Sequence, residues 1–119
     1  MKNRRSAQNQ ALTPIALEIL LSLCNGPMHG YGIMLDVEKR TDGEVSLGSG
    51  TLYQAIQRLE RLGLISEAHV DLHDRDARRG RSYQLEPVGS EILEAELRRL
   101  SNVVAYARSK DLIPDARRP

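Results

Sequence analysis

The segment from Ser49 to Gly63 constrains this chain more than any other. Leu52, Ala55, Ile56, Leu59 and Leu62 recur at helical spacing, so a helix beginning at Ser49 or Gly50 and ending at Leu62 has one face to bury. Gly63 follows where a left-handed residue would close the last turn. The opposite face carries Gly50, Gln54, Gln57 and Arg61, flanked by Thr51, Tyr53 and Arg58. Such a helix needs packing partners on one side and keeps a polar surface on the other.

The flanking sequence supplies those partners. Thr13 and Pro14 start a first helix with an N-cap hydroxyl and a proline at the first helical position. It is apolar nearly all round through Leu23 and is stopped by Asn25, Gly26 and Pro27. A second helix is predicted from about Gly30 to Arg40, with Ile33, Met34 and Val37 inward and Asp36, Glu38 and Lys39 outward. Thr41, Asp42 and Gly43 break it, and a short extended piece from Glu44 to Leu47 leads to Gly48. Beyond Gly63, a strand from Leu64 to Val70, a polar loop to Gly80 and a strand from Arg81 to Leu85 read as a hairpin with a long charged tip. A final helix spans about Pro87 to Ser109. Leu93, Leu97, Leu100, Val104 and Ala107 alternate steps of four and three along it, widened by Ile92 and Val103, a seam that calls for a partner helix.

The 119 residues suit one domain with a modest core. There is no Trp or Phe and there are four Tyr, so the core must be aliphatic. No apolar run is long enough to span a membrane, and the basic N-terminus lacks the apolar stretch of a signal peptide, so a cytoplasmic protein is expected. A single cysteine, Cys24, excludes an internal disulfide and an all-cysteine metal site. Beside Leu20, Leu21 and Leu23 it reads as a small buried core residue; a redox-sensing thiol would instead be exposed beside basic groups. His69, Asp71 and His73 alternate, with Asp74 and Asp76 after them, but no fixed ligand frame accompanies them, and neither a metal nor another cofactor is assigned. No phosphate-cradling glycine loop, nucleophile elbow or paired carboxylates appear, so no enzyme is expected.

The net charge is only +1, so the placement of charge matters more than its sum. Lys2, Arg4 and Arg5 make a basic arm, and Arg75, Arg78, Arg79 and Arg81 cluster around the hairpin tip, whereas Glu86, Glu91, Glu94 and Glu96 gather on the last helix. Three helices followed by a hairpin give the order of a winged helix-turn-helix. The expected fold is mainly α with a small β-hairpin, plus a long C-terminal dimerisation helix. Residues 1–11 form a flexible basic arm, 12–86 the DNA-binding domain, 87–110 the dimerisation helix and 111–119 a tail. In such a domain the third helix enters the major groove and the wing reaches the adjacent backbone. Gln54, Gln57 and Arg61 are then the base readers, since Arg pairs with guanine and Gln with adenine. Ser49, Gly50 and Thr51 offer backbone donors and hydroxyls to phosphate, with Tyr53 and Arg58 fixing register, and Arg78, Arg79 and Arg81 clamp the flank. Arg4 and Arg5 are further candidates for the DNA backbone. Ile92, Leu93, Leu97, Leu100 and Val104 are the dimerisation set. Two competing readings are a winged-helix protein-interaction module that never touches DNA, which often loses these basic residues, and a ligand-sensing dimer.

Three pieces resemble the PadR family of bacterial transcriptional regulators: Gly26 to Ile33 (GPMHGYGI), Gly50 to Glu60 (GTLYQAIQRLE) and Gly63 to Ile65 (GLI). Arg81 to Leu85 with Gly89 resembles the family's second wing strand and following turn, and the likeness runs from about Leu12 to Leu100. The resemblance implies a homodimer embracing through its C-terminal helices, two recognition helices on a palindromic operator in double-stranded DNA, and repression relieved by a small-molecule inducer or a stress signal. It adds His29 and Tyr31 as backbone contacts; their plainer role is capping and packing the second helix. Glu86 stands where the family usually has Thr, a poorer N-cap. The single C-terminal helix resembles the short class, without the aromatic side chains with which some short relatives sandwich flat drugs.

Overall fold

The computed structural model describes residues 12–69 and 80–114. These form α1 (Pro14–Leu23), β1 (Met28–His29), α2 (Gly30–Arg40), α3 (Ser49–Arg61), β2 (Ile65–Ala68), β3 (Ser82–Leu85) and α4 (Pro87–Ser109). The arrangement is a winged helix followed by one long helix.

Local chemistry sets the ends of these elements. The Thr13 hydroxyl accepts the Ala16 N–H at 3.0 Å, and Pro14 occupies the first turn, where a missing N–H costs nothing. At the end of α3, Gly63 takes φ +77°, the Leu64 N–H donates to the Leu59 carbonyl and the Gly63 N–H to that of Glu60, both at 3.0 Å. That pair of bonds is a Schellman closure, and it ends the helix where the sequence places its stop.

The core lies where the three short helices meet the sheet. Ile19 and Leu20 of α1, Ile33 and Val37 of α2, and Leu52, Ile56 and Leu59 of α3 are fully buried together. Leu64, Ile65 and Tyr83 extend this cluster under the sheet. Beside it, a polar clamp joins α1 to α2. Arg40 donates from Nε to Asp36 at 2.9 Å, from Nη1 to the Glu18 carboxylate at 2.8 Å, and from Nη2 to the Glu18 carbonyl and the Ser22 hydroxyl. Ser22, fully buried, donates in turn to Asp36 at 2.7 Å. Bonds from Arg40 first, and from Ser22 next, hold the Asp36 carboxyl below its ordinary range.

In the sheet and at the end of α1, three expectations change. The sheet has three strands in the order β1-β3-β2, not two, because Met28 and His29 pair antiparallel with Tyr83 and Ser82. The β2 strand is shorter than Leu64 to Val70: Leu64 belongs to the Schellman turn, His69 lies past the strand and Val70 falls outside the described residues. The extended piece from Glu44 to Leu47 begins with a bend, in which the Thr41 hydroxyl accepts the Val45 N–H and the Thr41 carbonyl that of Glu44, folding its start back on the end of α2. Cys24 is exposed, because it is the C-cap of α1, a step past the last inward residue, Leu23.

Helix α4 packs its first turns on the body. The Glu86 N–H donates to the Leu64 carbonyl at 3.0 Å, and Gly89 lies so close to that carbonyl that a Cβ there would overlap it. Glu86 makes no capping bond; its carboxylate instead accepts the Ser66 hydroxyl. Ile92 and Leu93, expected at a subunit seam, are buried in the chain's own core, because α4 meets α1 along this stretch. Further on, Leu97, Val103, Val104 and Tyr106 are exposed.

Candidate nucleic-acid interface

Burial on α3 is divided as its sequence requires. With Leu52, Ile56 and Leu59 inside, Ser49, Gly50, Thr51, Tyr53, Gln54, Gln57, Arg58 and Arg61 are all exposed. Gly48, the N-cap, makes no side-chain bond, and no acidic residue occupies the first turn, so the leading N–H groups are open to an anion. Arg58 and Arg61 fall in the last turn, where they also suit the negative end of the helix dipole. Among the described residues, no ion pair occupies either guanidinium. The face therefore offers amide and guanidinium groups that can bond base edges, on a helix whose rotation is fixed by its buried side.

The neighbouring elements add to this surface unevenly. Tyr31 on α2 is exposed. Tyr53 is 39% exposed, with the end of its phenol resting on Gly30, the first residue of α2. His29 is different: both ring nitrogens are buried and have no hydrogen-bond partner among the described residues. In this conformation its imidazole presents no nitrogen to a phosphate, and its surroundings fit the packing role instead. Nearby Tyr83 is buried beneath the sheet; burial first, and the Glu60 and Tyr53 side chains next, push its phenol above the ordinary range.

The wing is described only at its base. Ile65 pairs with Leu85, Ser66 with Gln84, Glu67 with Tyr83 and Ala68 with Ser82. Arg81 sits at this base, its Nε 3.8 Å from the Glu67 carboxylate. With both side chains well exposed, that pair holds Arg81 weakly and leaves it able to bind another anion. Arg78 and Arg79 at the tip, Arg4 and Arg5 of the arm, and Asp71, His73, Asp74 and Asp76 lie outside the described residues. Among the described residues, no group of three or more His, Cys, Asp or Glu side chains is placed to hold a metal ion, and no helix is long and apolar enough to cross a membrane.

Sequence reasoning missed two features here. The Arg40 clamp joins residues 18, 22, 36 and 40 from two helices, and no short motif marks such a set. The contact of Tyr53 with Gly30 links two of the family-like segments, but nothing in either one announces the other.

Comparison with known proteins gives a consistent result. The model of the transcriptional regulator PadR-like family matches residues 19–95. An uncharacterized 37.1 kDa protein in a transposon of Streptomyces fradiae is 36% identical over 78 residues, covering 66% of this chain and 20% of that protein, so this chain spans about one fifth of its length. A PadR family transcription regulator from Clostridium difficile superposes with TM-score 0.66 at 24% identity, covering 82% of this chain and 97% of that one. A transcriptional regulator from Clostridium thermocellum gives TM-score 0.65 at 23% identity, covering 80% and 87%. At these identities the two structures speak to the fold.

Proposed function

The chain belongs to the PadR-like family of transcriptional regulators, and from that premise we propose that it binds DNA sequence-specifically as a homodimeric repressor on a palindromic operator. One observation carries the reading: α3 buries Leu52, Ile56 and Leu59 completely while exposing Gln54, Gln57, Arg58 and Arg61 together. Gln54, Gln57 and Arg61 read base edges in the major groove. Ser49, Gly50 and Thr51 at the helix start, with Tyr53 and Arg58, set register on phosphates, and Arg81 joins Arg78 and Arg79 in clamping the flank. Tyr31 adds a backbone contact from α2. Residues 12–86 act as the DNA-binding unit, and α4 carries the dimer contact on the exposed Leu97 and Val104 and the half-buried Leu100. Two-fold symmetry then sets the half-sites about one helical turn, roughly 10 base pairs, apart.

Fluorescence anisotropy with a short duplex of random sequence, over a series of salt concentrations, tests the electrostatic part. The expected result is binding that weakens steeply with salt, each neutralised phosphate contributing about −0.9 to the log–log slope. Absence of binding at low salt would overturn the proposal and favour a protein-interaction module.

A further inference from the structure

Four described glycines, Gly26, Gly43, Gly63 and Gly80, have positive φ and are explained by their backbone. Gly30 is not among them. It opens α2 in a conformation any residue can adopt, yet it is buried, and a Cβ there would overlap the Tyr53 hydroxyl and lie 2.8 Å from Cζ and 3.0 Å from Cε1. What Gly30 supplies is space, and the group filling that space belongs to the polar side of α3. Gly89 makes the instructive contrast. Its obstacle is the Leu64 backbone carbonyl, which cannot step aside, so that contact serves the fold. The Tyr53 phenol is the far end of a partly exposed side chain and has room to swing outward.

We propose that Gly30 is a positioning residue for DNA recognition, forming the seat that holds the Tyr53 phenol against the first turn of α2. The proposal rests on the DNA-binding reading and extends it to a residue that touches no DNA itself. The seat also ties the recognition helix to the wing. His29, immediately before Gly30, pairs with Ser82 on β3, and β3 carries the β2 side of the wing on its other edge. Tyr53 thus rests on the point where the sheet hands over to α2. A methyl group at position 30 displaces the phenol from this junction towards solvent, changing the backbone-contacting surface of α3 while Leu52, Ile56 and Leu59 keep their places.

A double-mutant cycle with Gly30→Ala and Tyr53→Ala tests this, reading duplex affinity by anisotropy and the tyrosine ring signals by NMR of tyrosine-labelled full-length protein. With four tyrosines and no other aromatic residue except three histidines, the ring signals can be assigned one by one. Gly30→Ala is expected to weaken binding about tenfold, the scale of one hydrogen bond to a charged group. It should also move the Tyr53 ring signals while leaving those of Tyr106 in place. In the Tyr53→Ala background the same change should have no further effect, since the phenol it displaces is gone. Equal weakening in both backgrounds, or Tyr53 signals unmoved by Gly30→Ala, would overturn the proposal. Should Gly30→Ala alone not fold, the double variant must recover the fold if the seat is real, and its failure to do so would count against it. If the wild-type protein bound no duplex, the DNA reading would fall, while the ring signals would still report on the seat.

Discussion

On α3, Leu52, Ile56 and Leu59 are each exposed by 1% or less, whereas on α4 the apolar positions part company: Leu93 is 3% exposed, Leu97 38%, Val103 51% and Tyr106 65%. Both helices carry an apolar repeat of the same kind. The shorter one lies wholly within reach of α1, α2 and the sheet, while the 23 residues of α4 outrun the body after its first turns. Periodicity therefore says that a face wants covering, and length decides whether the same chain can cover it. On α3 the question is closed, and its polar face is what remains for function. On the outer part of α4 the apolar face remains, and a second copy of the chain is its proposed cover.

The largest effect should come from breaking that cover. Leu97→Glu with Leu100→Glu is expected to convert a dimer into a folded monomer, halving the mass in light scattering with circular dichroism little changed; a dimer that survives both changes would return α4 to a purely intrachain role. Next in size, Leu59→Ala should cost about 2–5 kcal/mol in chemical denaturation. A cost within about 0.5 kcal/mol, the usual range for a surface position, would erase the distinction between the two helices. Arg61→Ala should leave stability nearly intact but weaken operator binding by about 1–3 kcal/mol, with discrimination relaxed at one position of each half-site. Uniform weakening on all sequences would move Arg61 from reading to clamping.

The smallest effect concerns the clamp that fixes α2, and through it the approach of α3. Arg40 and Ser22 hold the Asp36 carboxyl below its ordinary value of 3.8. A carboxyl depressed by folding stabilises the native state fully above its unfolded value, and that contribution is lost as pH falls through the lower folded value. Asp36→Asn should therefore lower Tm near neutral pH, with the gap from wild type closing as acidification proceeds below about pH 4. A gap independent of pH would assign the effect to packing rather than to charge.

Much of this was legible because it is local. Thr13 with Pro14, Gly63 and the α3 repeat from Leu52 to Leu59 each act within a turn or two, and the structure follows them closely, whereas Leu62, the last apolar position of that repeat, is exposed because it is the C-cap. Strand β1 is not legible in the sequence because two residues have no period; Met28 and His29 become a strand only through Tyr83 and Ser82, more than fifty positions away. The exposure of Cys24 is hidden in the sequence because adjacency to Leu23 is a step around, and here off the end of, a helix. A heptad step cannot tell an intrachain neighbour from an intermolecular one, so Ile92 and Leu93 read as partner contacts in the sequence although they lie in the chain's own core. The Gly30 seat was hidden for a further reason: a glycine chosen for space looks the same in sequence as one chosen for its φ.

Two copies of the α3 polar face are proposed to read a symmetric site. Selection of bound duplexes from a random library by the wild-type protein, followed by sequencing, tests it most directly. The expected result is enrichment of a palindrome whose half-sites are centred roughly 10 base pairs apart. Enrichment of no sequence, or of a single unrepeated half-site, would contradict it.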